Sequence, residues 1–590
     1  MAARRVVKLL YVVITCCFFA ISVCDKDNYV EELFIKPLNN GFIYTHFQFT
    51  TKWNVSIWQE ESLKHYNVFP KSLGDTLQAF SIQELHLTLT QGLWRHSKWG
   101  YPVRDAPPGA ELWVWFQDTV EDIDQQWISL TNALSGQFCA SLNFLDGTST
   151  VQPQLSFRPE GINHKDKSVN SSYIRYAALP KENVCTENLT PWKKLLPCGE
   201  KTGLGSLLKA KKLYDANYHS LAVSIRPVCR SRSSCEDPSL ELSQSLSLVI
   251  DNHIRNNGRR DWSLRQLFGE TLSGHCPLAS RSVVYTDTTD IEGSAILSPP
   301  PGETHIEMNH GHTRTYAVHN VKDFTLNNGR LNIGAKYTTS LIPYTSVQPP
   351  ILHAQRFASG YGQERGGIVC LLHNEDPHAN ITVIYMESIP WYIRVYFHTL
   401  TIESEGVKIK PEYQHFVAGK DRARPHLMEL VFTLPRSSTT RLSIEFDRAF
   451  LKWTEYPPDA SQGFLINSAV ISTVLVRPPN HMFGFAESSE LSHMFNNTRE
   501  TYFMRLHTET LLVALATPDF SMPYNVICLV CTVVAIAFGS IHNLTTRRFI
   551  VEEAHKKGGI IGKIKNFFRR KSVPAAQSEG SEIKSHLKDS

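Results

Sequence analysis

Signatures of catalysis are missing from this sequence of 590 residues. It has no Gly-x-Ser-x-Gly elbow, no phosphate loop and no dinucleotide fingerprint; Gly203-Leu-Gly205 lacks both a preceding strand and a third glycine. No His-Glu-x-x-His helix occurs, and the Cys-x-x-Cys pair, Cys528 and Cys531, falls inside an apolar run, which leaves a structural zinc without support. The best cation-like cluster is His305, Glu307, His310 and His312 in HIEMNHGH, and its flanking Pro-Gly and Asn-His-Gly favour an exposed loop. No catalytic residue, metal or cofactor is therefore expected. No repeat with a period of about 20–50 residues is present, which excludes a solenoid.

Charge is missing from two stretches. Leu9 to Val23 is uncharged and follows Arg4, Arg5 and Lys8, the pattern of a secretory signal cleaved near Cys24. Pro523 to Ile541 is also uncharged, and at about 1.5 Å per residue it nearly matches a hydrocarbon core of about 30 Å. Arg547, Arg548 and a lysine-rich tail follow, which places the C-terminus in the cytosol by the positive-inside rule. Of the formal net charge of +4, the tail from His542 carries +6, from eleven Lys and Arg against five Asp and Glu, and the three N-terminal cations carry +3, so the body is at −5. That balance gives no footprint for a nucleic-acid partner. In the tail, Ile560, Ile561, Ile564, Phe567 and Phe568 recur near helical spacing, which suits either a helix on an anionic leaflet or a solvated tail.

What is present reads as a folded secretory body. Sequons at Asn54, Asn170, Asn188, Asn380 and Asn496 are open to glycosylation. Leu85, Leu87 and Leu89 alternate with Glu84, His86, Thr88 and Thr90, and Leu442, Ile444 and Phe446 alternate with Arg441, Ser443 and Glu445. Both predict half-buried strands, the second in a hairpin after a turn at Pro435–Thr440. Further strands are expected at Glu111–Phe116, Leu221–Ile225, Leu246–Ile250, Ile381–Met386 and Ile393–Ile402. Asp118 is placed to cap a helix whose apolar face is Ile123, Trp127, Leu130 and Leu134, with Gly136 ending it. The fold class is a mostly β or α+β lumenal region with a β-sandwich-like domain and one C-terminal transmembrane helix. The expected divisions are a signal peptide at 1–24, an α+β domain at 25–290 and a linker region at 291–320 around Ser298–Gly302. A β-sandwich-like domain at 321–499, a connector at 500–522, the span at 523–541 and a basic tail at 542–590 complete it.

Seven cysteines fall in the lumenal part: Cys139, Cys185, Cys198, Cys229, Cys235, Cys276 and Cys370. An odd number in an oxidising compartment leaves a thiol free or bonded to another chain, unless the signal is cut before Cys24. Cys229 and Cys235 are close enough for a small loop, and connectivity is otherwise open, a Cys185–Cys198 pair included.

Several longer stretches carry a resemblance. VCTENLTPWKKLLPC (Val184–Cys198), HAQRFASGYG (His353–Gly362), FLKWTEYPPD (Phe450–Asp459) and TPDFSMPYNVICLVCTVV (Thr517–Val534) closely resemble the PIG-T family of GPI transamidase subunits. ELWVWFQDTVEDID and FCASLNFLD look like the same family, and the resemblance runs from about residue 30 to 550. It implies a scaffold subunit of an endoplasmic reticulum complex that attaches GPI lipid to precursor proteins bearing a C-terminal GPI signal. The catalytic subunit would be a separate cysteine-protease-like chain, PIG-K, disulfide-linked to this one. The resemblance places that link at Cys185. It also implies a GPI-lipid contact at Asp519, Ser521 and Asn525, with a loop at Asp459–Gly463 reaching it; there Ser461 departs from the expected amide. The competing classes are a lumenal hydrolase or transferase acting alone and a cell-surface adhesion receptor.

Overall fold

A computed structural model describes residues 27–548 apart from 39–40, 56–65, 161–169, 230–237, 290–294, 310–311, 339–349, 361–364, 457–461, 476–501 and 518–520. The chain divides into a large unit through Thr517 and a second one from Pro518.

The first half supplies β1 (Asn28–Pro37), β2 (Phe42–Trp53), β3 (Ile82–Gln91), β4 (Gly109–Phe116), β5 (Thr150–Val151), β6 (Ile174–Leu179), β7 (Tyr218–Cys229) and β8 (Pro238–Asp251). After them come β9 (Trp262–Ser263), β10 (Arg281–Asp287), β11 (Ala295–Ser298), β12 (Glu303–Asn309), β13 (His312–Asn320) and β14 (Gly334–Tyr337). Eleven of these form one sheet in the order β12-β13-β10-β1-β2-β8-β7-β3-β4-β6-β5, while β11, β14 and β9 make a small sheet. Only β1 and β10 pair in parallel in the large sheet; its other pairs, such as β2 with β8, are antiparallel. Because β12 and β13 extend that sheet to Asn320, residues 303–309 and 312–320 are sheet strands and not a linker.

One face of the large sheet takes the apolar residues of the alternation. Phe47, Phe49, Leu85, Leu87 and Leu89 pack there against the Ile123–Phe138 and Thr186–Lys194 helices through Trp127, Leu130, Leu134, Leu189 and Trp192. The Ile123–Phe138 helix is capped by Asp122, whose carboxylate accepts from Gln125 N at 3.0 Å, rather than by Asp118. It also runs through Gly136, because Leu134 and Phe138, one turn apart, are both buried; Cys139, at φ 50°, closes it. The opposite face corrects a further expectation. Glu84, His86, Thr88 and Thr90 are buried, not half-exposed, since this face of the sheet is covered by residues 94–106 and by Glu160.

The second half forms a sandwich. Its strands are β15 (Leu352–Ser359), β16 (Arg365–Asn374), β17 (Ile381–Ile389), β18 (Ile393–Ser404), β19 (Val407–Lys408), β20 (Tyr413–Val417) and β21 (His426–Leu434). The others are β22 (Ser438–Arg448), β23 (Phe464–Ile466), β24 (Val470–Leu475), β25 (Tyr502–His507) and β26 (Leu511–Val513). Two antiparallel sheets, β15-β16-β22-β18-β19 and β20-β21-β17-β24-β25, enclose a core that includes Leu442, Ile444 and Phe446, while Arg441 and Glu445 point outward. Residue 356 of the HAQRFASGYG stretch belongs to this core. The Arg356 guanidinium pairs with the Glu387 carboxylate, both fully buried, and donates to Asn467 O at 2.7 Å and Glu509 O at 3.1 Å.

The two halves are joined by polar clasps. Glu429 on β21 accepts from Gln154 N, Leu155 N and Ser156 N at 2.7–3.2 Å, and from Ser156 Oγ at 2.7 Å. His507 on β25 sits between Asp105 (3.2 Å) and Glu111 (3.1 Å). Burial works against charging this imidazole, but the two carboxylates outweigh burial and raise its pKa to about 9. In the second unit, one apolar helix spans Ser521–Thr546, long enough to cross a membrane. Pro523 falls in its first turn, where a missing N–H is tolerated.

Candidate functional site

Cys185 is the N-cap of the Thr186–Lys194 helix. Its own amide donates to Asn188 Oδ1 at 2.8 Å, and Asn188 Nδ2 donates to Cys139 O at 2.8 Å and Phe138 O at 3.1 Å. One buried amide side chain therefore ties the start of this helix to the end of the Ile123–Phe138 helix. Tyr214 Oη donates to Cys185 O, so the backbone of Cys185 is held on both sides. Further along, Trp192 is buried and donates to Ala222 O at 3.1 Å, which anchors the helix on the large sheet. The thiol itself is free and exposed. A rigid, unpaired, accessible thiol of this kind can form a bond to a second chain at little entropic cost.

The other cysteines sharpen that assignment. Cys198 is bonded to Cys276, 78 residues away, so the Cys185–Cys198 alternative is overturned. Cys229 is also disulfide-bonded. Cys370 is buried, and burial pushes its thiol well up. Cys139 is the other exposed free thiol among the described residues of the large unit, adjacent to Cys185 through Asn188. Sequence reasoning missed Asn188, which it took as a sequon. Asn188 is buried with both ends of its amide bonded, so the folded chain has no place for a glycan there. Asn170 and Asn380 are exposed, Asn54 is half-buried, and Asn496 lies outside the described residues.

Gly203 and Gly205 serve packing. The amide of Leu204 donates to Glu31 Oε2 at 3.1 Å, and a Cβ on Gly203, at φ +73°, would lie 2.4 Å from that oxygen. Burial raises the Glu31 pKa to about 7, against the opposing hydrogen bonds from Leu204, Tyr29 and Ser282. Of the expected lipid-contact residues, Asp519 and Ser461 lie outside the described residues. Ser521 begins the apolar helix, and Asn525 is exposed on it. Of the HIEMNHGH cluster, His305 and Glu307 lie on β12 and His312 on β13, while His310 is outside the described residues.

These features define a β-rich, disulfide-braced chain with, among the described residues, a single membrane-spanning candidate helix and an exposed thiol on a rigid helix start. The chain belongs to the Gpi16 family, described as "Gpi16 subunit, GPI transamidase component", whose model matches residues 12–261 and 253–570. It is 47% identical over 580 residues to the mouse GPI-anchor transamidase component PIGT, covering 97% of this chain and 98% of the relative. The human protein of the same name is 47% identical over 559 residues, covering 93% and 95%. The yeast GPI transamidase component GPI16, from Saccharomyces cerevisiae, is 31% identical, covering 90% of each. Among solved structures, a modular backbone pilin of Streptococcus pyogenes aligns over 35% of this chain and 49% of its own, with a TM-score of 0.17 and 10% identity. As a family member, the chain is a GPI transamidase component that works with the other subunits of that complex in GPI-anchor attachment.

Proposed function

We propose that this chain is the non-catalytic scaffold of the transamidase, facing the endoplasmic reticulum lumen, and that Cys185 forms the disulfide to the catalytic cysteine-protease-like subunit, PIG-K. The observation that carries this reading is the free, exposed thiol of Cys185, held from both sides of its backbone, with Cys198 already bonded to Cys276. Non-reducing electrophoresis of the complex tests it. Cys185→Ser removes the covalent band joining this chain to the catalytic subunit, and an unchanged band overturns the assignment.

The scaffold also helps to bind GPI lipid at its membrane junction. Asp519, Ser521 and Asn525 are polar groups at the start of an apolar span, where they are costly unless they face protein, water or a head group. Asp519 can pair with an amine of the glycan, and Ser521 and Asn525 can donate to phosphate or hydroxyls, with Ser461 as a further contact. In cells carrying only Asp519→Ala with Asn525→Ala, the complex assembles and surface GPI-anchored protein falls. Full surface levels in that line refute the lipid contact. Precursor proteins with a C-terminal GPI signal are then substrates of the whole complex, not of this chain alone.

A further inference from the structure

We propose that His353, His373 and Glu375 form a divalent transition-metal site, best suited to Zn²⁺, at the end of the β15–β16 pair. One ligand atom from each lies within 4.8 Å of the other two. His353 and His373 are directly opposite in the antiparallel register, and their rings stack with centroids 4.4 Å apart. The Nδ1 nitrogens of both rings are in use. His353 Nδ1 lies 3.3 Å from Pro350 O, and His373 Nδ1 lies 2.9 Å from Thr439 Oγ1 on β22. A ligating histidine characteristically donates its other N–H to an oxygen in this way, which fixes the tautomer and leaves Nε2 as the metal-facing lone pair. His373 Nε2 is buried and has no hydrogen-bond partner among the described residues. A buried ring nitrogen left unpaired is unfavourable, and a cation would satisfy it.

The backbone holds the third group in place, since Glu375 N donates to Ile351 O at 2.7 Å. Its side chain is exposed, so it can swing toward the two imidazoles and leaves a fourth position for water. Tetrahedral zinc with bonds of about 2.1 Å needs ligand atoms about 3.4 Å apart, so the site must contract slightly and the rings must turn out of their stack. Two imidazoles and one carboxylate suit zinc better than the hard, oxygen-preferring Ca²⁺ or Mg²⁺. The site is also next to a joint between the halves of the chain, because Leu352 N donates to Tyr101 Oη at 2.8 Å. A metal there would brace the β15–β16 end against the first half, a structural role.

The test uses the full chain in detergent, stripped with chelator and titrated with Zn²⁺ against a chromophoric competitor, with Co²⁺ absorption reporting geometry. The expected result is one zinc per chain, tetrahedral-type Co²⁺ bands, and a melting temperature raised by zinc. Glu375→Gln, whose exposed side chain is dispensable for folding, and His353→Gln each weaken zinc at least about tenfold, whereas His305→Gln leaves it unchanged. His373→Gln abolishes the Co²⁺ bands. Failure of the wild-type chain to bind zinc overturns the proposal. So does binding that survives unaltered in Glu375→Gln and His353→Gln, which would place the metal elsewhere.

Discussion

Glu31 shows how a single buried group sets a pH dependence. Its folded pKa of about 7 lies above the ordinary carboxyl value of 4.5, so the folded state holds a proton that the unfolded state releases between those limits. The stability it contributes is complete below about pH 4.5 and is lost as pH rises through about 7. Glu31→Gln is therefore expected to raise the melting temperature at pH 8 while changing little at pH 4.5; an equal shift at both would refute it. Asn188 acts through neutral hydrogen bonds. Asn188→Ala strands the Cys185 amide and the Cys139 carbonyl, a destabilisation of about 1–3 kcal/mol, and is expected to slow formation of the proposed intersubunit disulfide in pulse-labelled cells. Undiminished covalent dimer would show that Cys185 needs no such positioning. That a lumenal thiol is left unpaired was legible from the odd number of cysteines. The pairing of Cys198 with Cys276 was not, because 78 residues separate them and no local spacing encodes it.

Among the elements, legibility followed the solvent. The β22 alternation was readable because its outer face, with Arg441 and Glu445, stays exposed. For β3 the same alternation misled, since its polar face is covered by Arg104 and by Glu160, whose amide donates to Glu84 at 2.9 Å. Glu160 lies 76 residues beyond Glu84 in the chain, so the strand itself carries no sign of it. Arg356 and Glu387 join the two sheets of the sandwich, and neither strand announces its partner. Removing one member of a buried pair costs about 3–5 kcal/mol, because the other charge is left unpaired. Thermal unfolding of Arg356→Met should show a loss of that order, with Arg356→Met and Glu387→Leu together recovering part of it. Equal losses in the single and double variants would mean that the charges are not coupled.

At the scale of the whole molecule, the polar clasps make one unit out of the large sheet of the first half and the sandwich of the second, and that unit offers a surface on which a complex can be built. His507 gives this joint its own pH window. Its folded pKa of about 9, between Asp105 and Glu111, lies above the ordinary 6.5, so its contribution is complete below about pH 6.5 and lost as pH rises through about 9. The apolar C-terminal helix was evident in the sequence, whereas the docking of one half on the other depends on contacts between residues some 400 positions apart, such as His507 with Asp105. The scaffold reading is tested most directly in cells lacking this chain that re-express it as wild type or as Cys185→Ser, by quantifying the transamidase complex recovered on its catalytic subunit. The account predicts little assembled complex in the null cells and full recovery with wild type. With Cys185→Ser it predicts an assembled complex without the covalent link and reduced, not abolished, surface GPI-anchored protein, because a large interface does most of the holding. An intact complex in the null cells, or complete loss of assembly in Cys185→Ser, would contradict it.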